Sequence, residues 1–331
     1  MRATEETAMR RRDALKLLPA ALLPMPAYAQ AFPARPIRMV IPFTAGGSND
    51  VVGRMLADGM AARLGQPVVV ENRGGAGGLL GNDAVAKAAP DGHTMLLAGS
   101  GSFVISSLVQ PRLPYDPVRD FAAIAYLGAS PNVICVHPSI PARNLAELQA
   151  FGKQRREPLR FGTPGVGTNG HALGAMIGVV LGIELEAIHY RGTGPALNDI
   201  LGGRLDILTN ASAPLQPHIA ANTLRALAIA GRSRSVALPE LSTSVEQGFP
   251  ELDSATWYGL LTAAGTPADR IAVLHAAAKA TMEDPEIRRR LVEAGVDEIA
   301  PSPAPEHFAQ LLASDRERWA GVVRRANLRA E

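Results

Sequence analysis

The sequence is short of several things, and each shortage excludes a class. It holds one cysteine in 331 residues, so no disulfide scaffold and no thiolate metal site can be built. Aromatic residues are only 5% and charged residues 19%, yet hydrophobic residues reach 47%, which excludes a disordered chain. Its seven histidines include no His-x-x-x-His pair, and no metal site is expected. No repeat of solenoid length, low-complexity tract or collagen-like period is present. Net charge is also scarce, at +2. Residues 1–29 hold five cations (Arg2, Arg10, Arg11, Arg12, Lys16) and three acids (Glu5, Glu6, Asp13). Removing them from the totals of 33 and 31 leaves 28 of each sign. A chain so balanced has no electrostatic footprint for nucleic acid.

The N-terminal segment reads as an export leader. Arg10-Arg11-Arg12 opens a basic region, Leu15 to Met25 is a short apolar run, and Ala27-Tyr28-Ala29 has the small-x-small form of a signal-peptidase site. The apolar run is shorter than the roughly 20 residues a spanning helix needs, and prolines 19, 24 and 26 interrupt it. Arg11-Arg12-Asp13-Ala14-Leu15-Lys16 is similar to a twin-arginine signal, with Ala14 where Phe is usual. Cleavage after about Ala29 and a periplasmic location are therefore expected. Cys135 lies in the apolar run Asn132-Val133-Ile134-Cys135-Val136 and reads as a buried small hydrophobe.

From Ile37 onward, short β-branched runs alternate with longer helical patterns, the signature of an α/β fold. Strands are predicted over 37–43, 68–70, 94–98 and 134–137, then 159–162, 186–190, 206–208 and 224–230. Helices are predicted from about Val51 to Leu64, through Ala88, over 171–181 and over 195–201. The C-terminal third is predicted helical. There Asp284-Pro285-Glu286 supplies an N-cap, a proline at the first helical position and an acid in the first turn, and Gly295 ends the helix. The last helix carries Phe308, Leu311, Leu312, Trp319, Val322 and Val323 on one face.

One design occurs twice. Pro42-Phe43-Thr44-Ala45-Gly46-Gly47-Ser48-Asn49-Asp50 is strand, small-residue turn, helix, and Phe161-Gly162-Thr163-Pro164-Gly165-Val166-Gly167-Thr168-Asn169-Gly170-His171 repeats it. Each turn aims unpaired backbone N–H groups and the positive end of a helix dipole at one point, which makes an anion site. Neither turn contains Lys or Arg, so the grip comes from neutral dipoles and suits reversible capture. Two other readings stand beside this one. Gly165-x-Gly167-x-x-Gly170 formally matches a dinucleotide fingerprint, with Glu184 or Glu186 near the distance of a ribose acid; that would make the protein an NAD(P)-dependent oxidoreductase. Against it, Pro164 precedes the first glycine, and Thr168 and His171 suit a polar small-ligand cradle. Ser100, in Ala98-Gly99-Ser100-Gly101-Ser102, lacks the register of a nucleophile elbow, and its strand-end position suits a hydrogen-bond donor to a ligand better than an exported hydrolase. His171 either caps its helix or faces the ligand.

Several motifs in order carry a resemblance: Ile41-Pro42-Phe43 with Ala45 to Asp50, Val70-Glu71-Asn72-Arg73-Gly74-Gly75-Ala76-Gly77-Gly78, Ala89-Pro90-Asp91-Gly92-His93-Thr94, and Leu113-Pro114-Tyr115-Asp116-Pro117. Gly162-Thr163-Pro164-Gly165, His189-Tyr190-Arg191-Gly192, Leu201-Gly202-Gly203 and Ala264-Gly265-Thr266-Pro267 continue it, so that it runs from about Pro36 to the C-terminus. In these residues the chain resembles the Bug family of extracytoplasmic solute receptors, the binding-protein component of tripartite tricarboxylate transporters. The resemblance implies a two-lobed periplasmic-binding-protein fold (type II-like) with a crossover-strand hinge. Lobe I is expected over 30–133 plus 247–331, and lobe II over 134–246. It also implies a small-carboxylate ligand contacted by the loops Phe43 to Asp50 and Thr163 to His171. Two departures bear on the ligand: Ala175 and Thr209-Asn210 stand where acids are expected. With Asn210 facing the cleft, no carboxylate is there to hold an amine, which favours a ligand without an ammonium group.

The expected protein is thus a monomeric, non-enzymatic receptor for a small organic anion, with no cofactor, handing its ligand to membrane permease subunits or a sensor. Phe43 would form an apolar wall. Ala45, Gly46, Gly47, Ser48 and Asp50 would act from one side, and Thr163, Gly165, Gly167, Thr168 and His171 from the other. Ser100 and Asn210 would add polar contacts.

Overall fold

The computed structural model describes residues 32–300 and 304–329. The leader read in residues 1–29 lies outside them. In chain order the elements begin β1 (Ile37–Ile41), α1 (Ser48–Leu64), β2 (Val68–Asn72), α2 (Leu79–Ala86), β3 (Thr94–Gly99) and α3 (Ser106–Val109). Next come β4 (Phe121–Val136), α4 (Leu145–Gln154), β5 (Leu159–Thr163), α5 (Asn169–Leu181), β6 (Leu185–His189), α6 (Thr193–Leu201), β7 (Ile207–Ala211), α7 (Gln216–Ala220) and β8 (Arg225–Ala230). The chain closes with β9 (Ala255–Ala263), α8 (Ala268–Glu283), α9 (Pro285–Glu293), β10 (Glu298–Ile299) and α10 (Pro305–Arg325).

The strands form one mixed sheet in the order β2-β1-β3-β9-β4-β7-β5-β6, with β8 and β10 also paired to β4. β1 runs parallel to β2 and β3, and β5 runs parallel to β6 and β7, so the sheet has a parallel set at each end. β1, Ile-Arg-Met-Val-Ile, is buried at four of its five positions, the unalternating pattern of a strand covered on both faces. β4 joins the two ends. Its stretch from Phe121 to Pro131 pairs with β9, and its stretch from Asn132 to Val136 pairs with β7 and β8. Pro131, with no amide hydrogen to offer a ladder, stands where the partners change. The chain recrosses at Ser254: its amide donates to Ala230 O, and its carbonyl accepts from Asn132 N.

Separate apolar clusters fill the two ends. Ile37, Met39, Ile41, Leu56, Met60, Tyr258 and Leu274 lie in one under α1 and α8; Ile134, Leu148, Phe161, Leu173, Ile177 and Leu181 lie in another under α4 and α5. α10 lies along β4 and anchors Phe308 and Trp319, both fully or almost fully buried. Phe308 reaches the sheet because residue 259 is glycine; a Cβ there would stand 2.1 Å from its ring. The indole N–H of Trp257 donates to the buried Asp315 carboxylate at 2.7 Å. Cys135 is fully buried and unpaired, as the apolar run predicts.

The structure corrects the sequence in two places. The C-terminal third is not wholly helical, because β9 crosses the middle of the sheet. Eight of its nine residues are buried, so Ala-Thr-Trp-Tyr-Gly-Leu-Leu-Thr-Ala has no alternation to betray a strand. β4 likewise starts at Phe121, where Phe-Ala-Ala-Ile-Ala-Tyr is alanine-rich and carries no strand period. Elsewhere the predicted strands and helices are present, with ends shifted by a few residues.

Candidate functional site

Parallel strands end where their helices begin, and ligands in open α/β sheets bind beyond those carboxyl ends. Here β1 leads through Pro42 to Gly47 into α1, and β5 leads through Pro164 to Thr168 into α5. β3 runs into a wide π-type turn over Ser100–Ile105, and β7 ends at Asn210 and Ala211. These ends surround a cavity of about 30 Å³. Phe43, Gly47, Ser48 and Asn49 line it from the β1 side, and Gly99, Gly101 and Ser102 from the β3 side. Pro164, Thr168, Asn169, Gly170, Thr193 and Asn210 line the opposite wall, and Thr256 closes the floor from β9. A cavity this size takes roughly two or three water-sized groups, about the bulk of one carboxylate. A larger cavity, about 150 Å³, lies between Phe103, Phe121, Leu312 and Arg316, but it is mostly apolar.

No lining residue carries an ionisable side chain, so the polarity comes from dipoles. α1 begins at Gly47 with no side-chain cap, and the amides of Ser48, Asn49 and Asp50 have no intrahelical acceptor. α5 differs. Thr168 caps it, accepting from His171 N at 3.3 Å and donating from its hydroxyl to Gly165 O at 2.7 Å. The Asn169 and Gly170 amides remain at its open end. Both starts present positive helix ends to the same space.

The other expected site residues brace these loops. Asp50 is turned away from the cavity: its carboxylate accepts from Gly46 N (3.0 Å), Arg54 Nε (3.1 Å) and Asn72 Nδ2 (2.9 Å). Burial raises its pKa, but the hydrogen bonds from Arg54, Gly46 and Asn72 and the charge of Arg54 outweigh that and hold it below the usual carboxylate range. His171 Nδ1 accepts from Gly167 N at 3.1 Å. Burial, with a smaller contribution from neighbouring His189, pushes its pKa down to about 4, so the ring is neutral at pH 7. Thr163 Oγ1 meets His189 Nδ1 at 2.8 Å and accepts from Gly165 N at 3.2 Å. Of the expected contacts, Phe43, Gly47, Ser48, Thr168 and Asn210 line the cavity. Ala45 and Gly46 are exposed, and with Asp50, Ser100, Thr163, Gly165, Gly167 and His171 they are not among the lining residues.

The glycine fingerprint receives a different explanation. A Cβ on Gly165 would stand 3.2 Å from Gly77 Cα, and one on Gly167 would stand 2.7 Å from Ser106 Cα. One on Gly170 would meet Pro164 Cδ at 2.7 Å. These glycines admit protein backbone where a dinucleotide fold admits pyrophosphate. Ser106 Oγ fastens the same seam, lying 2.8 Å from Gly77 O and 3.1 Å from Gly167 O. Ser100 is fully buried and its hydroxyl donates to Asn169 Oδ1 at 3.0 Å; no histidine is among its hydrogen-bond partners.

Among the polar side chains of the lining, sequence reasoning missed Asn49, Ser102, Asn169, Thr193 and Thr256. The two asparagines each stand next to a residue it chose, one position further into a helix. Thr193 follows Arg191-Gly192, and a Cβ on Gly47 would approach it at 3.6 Å across the cavity. Thr256 was invisible because β9 was. Ala175 packs toward the cluster of Phe308 and Trp319, away from the cavity.

Comparison with known proteins decides the family. Residues 52–328 match the family described as TctC, tripartite tricarboxylate transporter family receptor. This chain belongs to that family. Protein BugT of Bordetella pertussis is 35% identical over 301 residues, covering 90% of this chain and 91% of BugT. Among solved structures, periplasmic binding protein BugD superposes with TM-score 0.87 at 32% identity, covering 91% of this chain and 100% of BugD. MatC from Rhodopseudomonas palustris with bound malate gives 0.83 at 32%, covering 88% and 100%. An R. palustris protein with adipate gives 0.86 at 28%, covering 90% and 99%. The fold is that of the periplasmic binding proteins of this receptor family, and the family consists of solute-binding receptors. Nothing supports the oxidoreductase alternative.

Proposed function

We propose that this receptor captures a small organic carboxylate in the periplasm by closing two lobes on it. The observation that carries the reading is the convergence of two helix starts, α1 and α5, on one cavity lined only by neutral groups. An anion at that point gains the free first-turn amides of both helices and leaves no buried charge unpaired. The malate and adipate held by structural relatives support a carboxylate as the ligand class. One lobe carries β1 to β3, the first part of β4, and β9 to α10. The other carries the end of β4 through β8, with the hinge at Pro131–Asn132 and at Ser254. Each lobe offers half the site, so binding and closure are one equilibrium. The leader read in residues 1–29 directs export and is removed after about Ala29. The closed receptor delivers its ligand to the membrane permease subunits of a tripartite transporter, or presents it to a sensor, and turns nothing over.

A thermal-shift screen of organic acids on refolded, ligand-stripped protein tests this. A true ligand at 100 times its Kd adds about 2.7 kcal/mol of stability. Stabilisation by NAD or NADP with none by any carboxylate overturns the proposal.

A further inference from the structure

Three asparagines line the cavity, and the side-chain amide nitrogens of two of them each donate to a backbone carbonyl. Asn169 Nδ2 donates to Ala255 O at 3.1 Å, and Asn210 Nδ2 donates to Ala211 O at 3.3 Å. Asn49 is different. Its side chain is 4% exposed as a residue, and its Nδ2 is buried with no hydrogen-bond partner. The amide lies over Gly99, another lining residue, 3.2 Å from where a Cβ on that glycine would stand. A buried N–H group without an acceptor costs free energy, and a ligand carboxylate that accepted from it would recover that cost.

Building on the carboxylate-receptor reading, we propose that Asn49 is the residue that selects an amine-free carboxylate over an amino acid. Its Nδ2 completes a set of donors: the first-turn amides of α1 and α5 and this one side-chain amide. No anionic group in the lining answers an ammonium group. The cavity holds no carboxylate, both helices present their positive ends, and the nearby Asp50 carboxylate is committed to Gly46, Arg54 and Asn72. An ammonium placed there loses its hydration without an anionic partner, whereas a carboxylate exchanges water for aligned N–H groups. Asn49→Asp keeps the shape and replaces the free donor with an anion at that one position.

The test is calorimetric titration of the mature chain with acids paired by the presence of one amine: succinate with aspartate, glutarate with glutamate, adipate with 2-aminoadipate. Wild type binds the amine-free member of a pair at least about tenfold tighter. Asn49→Ala weakens that member about tenfold, the loss of one hydrogen bond to a charged group. Asn49→Asp weakens it by about 100-fold or more through like-charge repulsion and reverses the preference toward the amino acid. Equal binding of both members by wild type overturns the proposal, as does a folded Asn49→Asp protein that keeps the wild-type preference. Should Asn49→Asp fail to unfold cooperatively, Asn49→Ala decides, and unchanged affinity for the amine-free acid overturns the assignment. Binding of no acid of either kind defeats the receptor reading itself, an outcome distinct from carboxylate binding without selectivity.

Discussion

Gly101→Ala separates closure of the cleft from stability of the fold. Gly101 sits in the π-type turn after β3, and its φ lies outside the left-handed region, so alanine brings no backbone strain. Its Cβ would stand 2.8 Å from Asn169 N and 2.7 Å from Asn169 Oδ1, at the start of α5 on the opposite wall. Ordinary contact begins at 3.4 Å, so the two walls must part by about 0.6 Å. That carries the Ser100 to Asn169 bond from 3.0 Å to a separation at which it no longer counts as a hydrogen bond. The lost bond and the overpacking together cost about 1–3 kcal/mol. If the walls part freely in an open form, that cost falls on the closed state alone and lowers ligand affinity about 5- to 150-fold. Gly59→Ala is the control. It drives a Cβ to 2.3 Å from Thr281 Cγ2 between α1 and α8, far from the cavity, and its cost falls on folding instead. Titration calorimetry with the carboxylate identified by the screen, beside thermal unfolding of the ligand-free proteins, reads both quantities. Gly101→Ala should move Kd with little change in Tm, and Gly59→Ala the reverse. If Gly101→Ala lowers Tm as Gly59→Ala does and leaves Kd alone, the seam is static packing and the closure argument fails.

Three further outcomes are expected. His171 has a folded pKa of about 4 against an ordinary 6.5, so between those values the unfolded chain binds the extra proton. Stability is therefore full above about pH 6.5 and falls on the order of 3 kcal/mol as pH drops toward 4. His171→Gln should flatten the fall in Tm between pH 7 and pH 5, and an equally steep fall would remove His171 from the account. Asp315→Ala should lower the urea midpoint by the equivalent of about 1–3 kcal/mol, because it strands the buried Trp257 indole N–H; Asp315→Asn, whose Oδ1 still accepts, should lose less. Cys135 is fully buried and its thiol pKa is pushed up by burial, so it should ignore a thiol-reactive dye in the native protein and react on denaturation. Rapid native labelling would contradict that packing.

The parallel set at each end of the sheet was legible because β1 and β5 are short, mostly buried runs that lead through glycine-bearing turns into helices. What stayed hidden lies at the centre. β9 is buried at eight of its nine positions and the first part of β4 is rich in alanine, so alternation marks neither, although they lie at the middle of the sheet. The site followed the same rule. Both helix starts were readable from Gly46-Gly47-Ser48 and Thr163-Pro164-Gly165. Which side chains reach the cavity was not, because that depends on partners distant in sequence. Asp50 reads as a ligand contact until Asn72 and Arg54 are seen to hold its carboxylate. Asn49 reads as one more turn residue until its amide proves to have no partner.

The balance of charge and the neutrality of the cavity belong to one design. A lysine or arginine in the lining would hold a carboxylate harder, but a cation left buried when the ligand departs carries a large desolvation penalty. Helix-start amides avoid that cost: they carry no net charge and can be met by water when the anion is absent. The glycines that could have cradled a nucleotide instead let Gly77, Ser106 and Gly165 to Gly167 meet backbone to backbone. On the proposed reading, closure is made by small, reversible contacts around the anion, and no single strong ion pair has to break for release. A receptor that must give up what it captures is served better by several weak donors converging from two walls than by one strong charge on either.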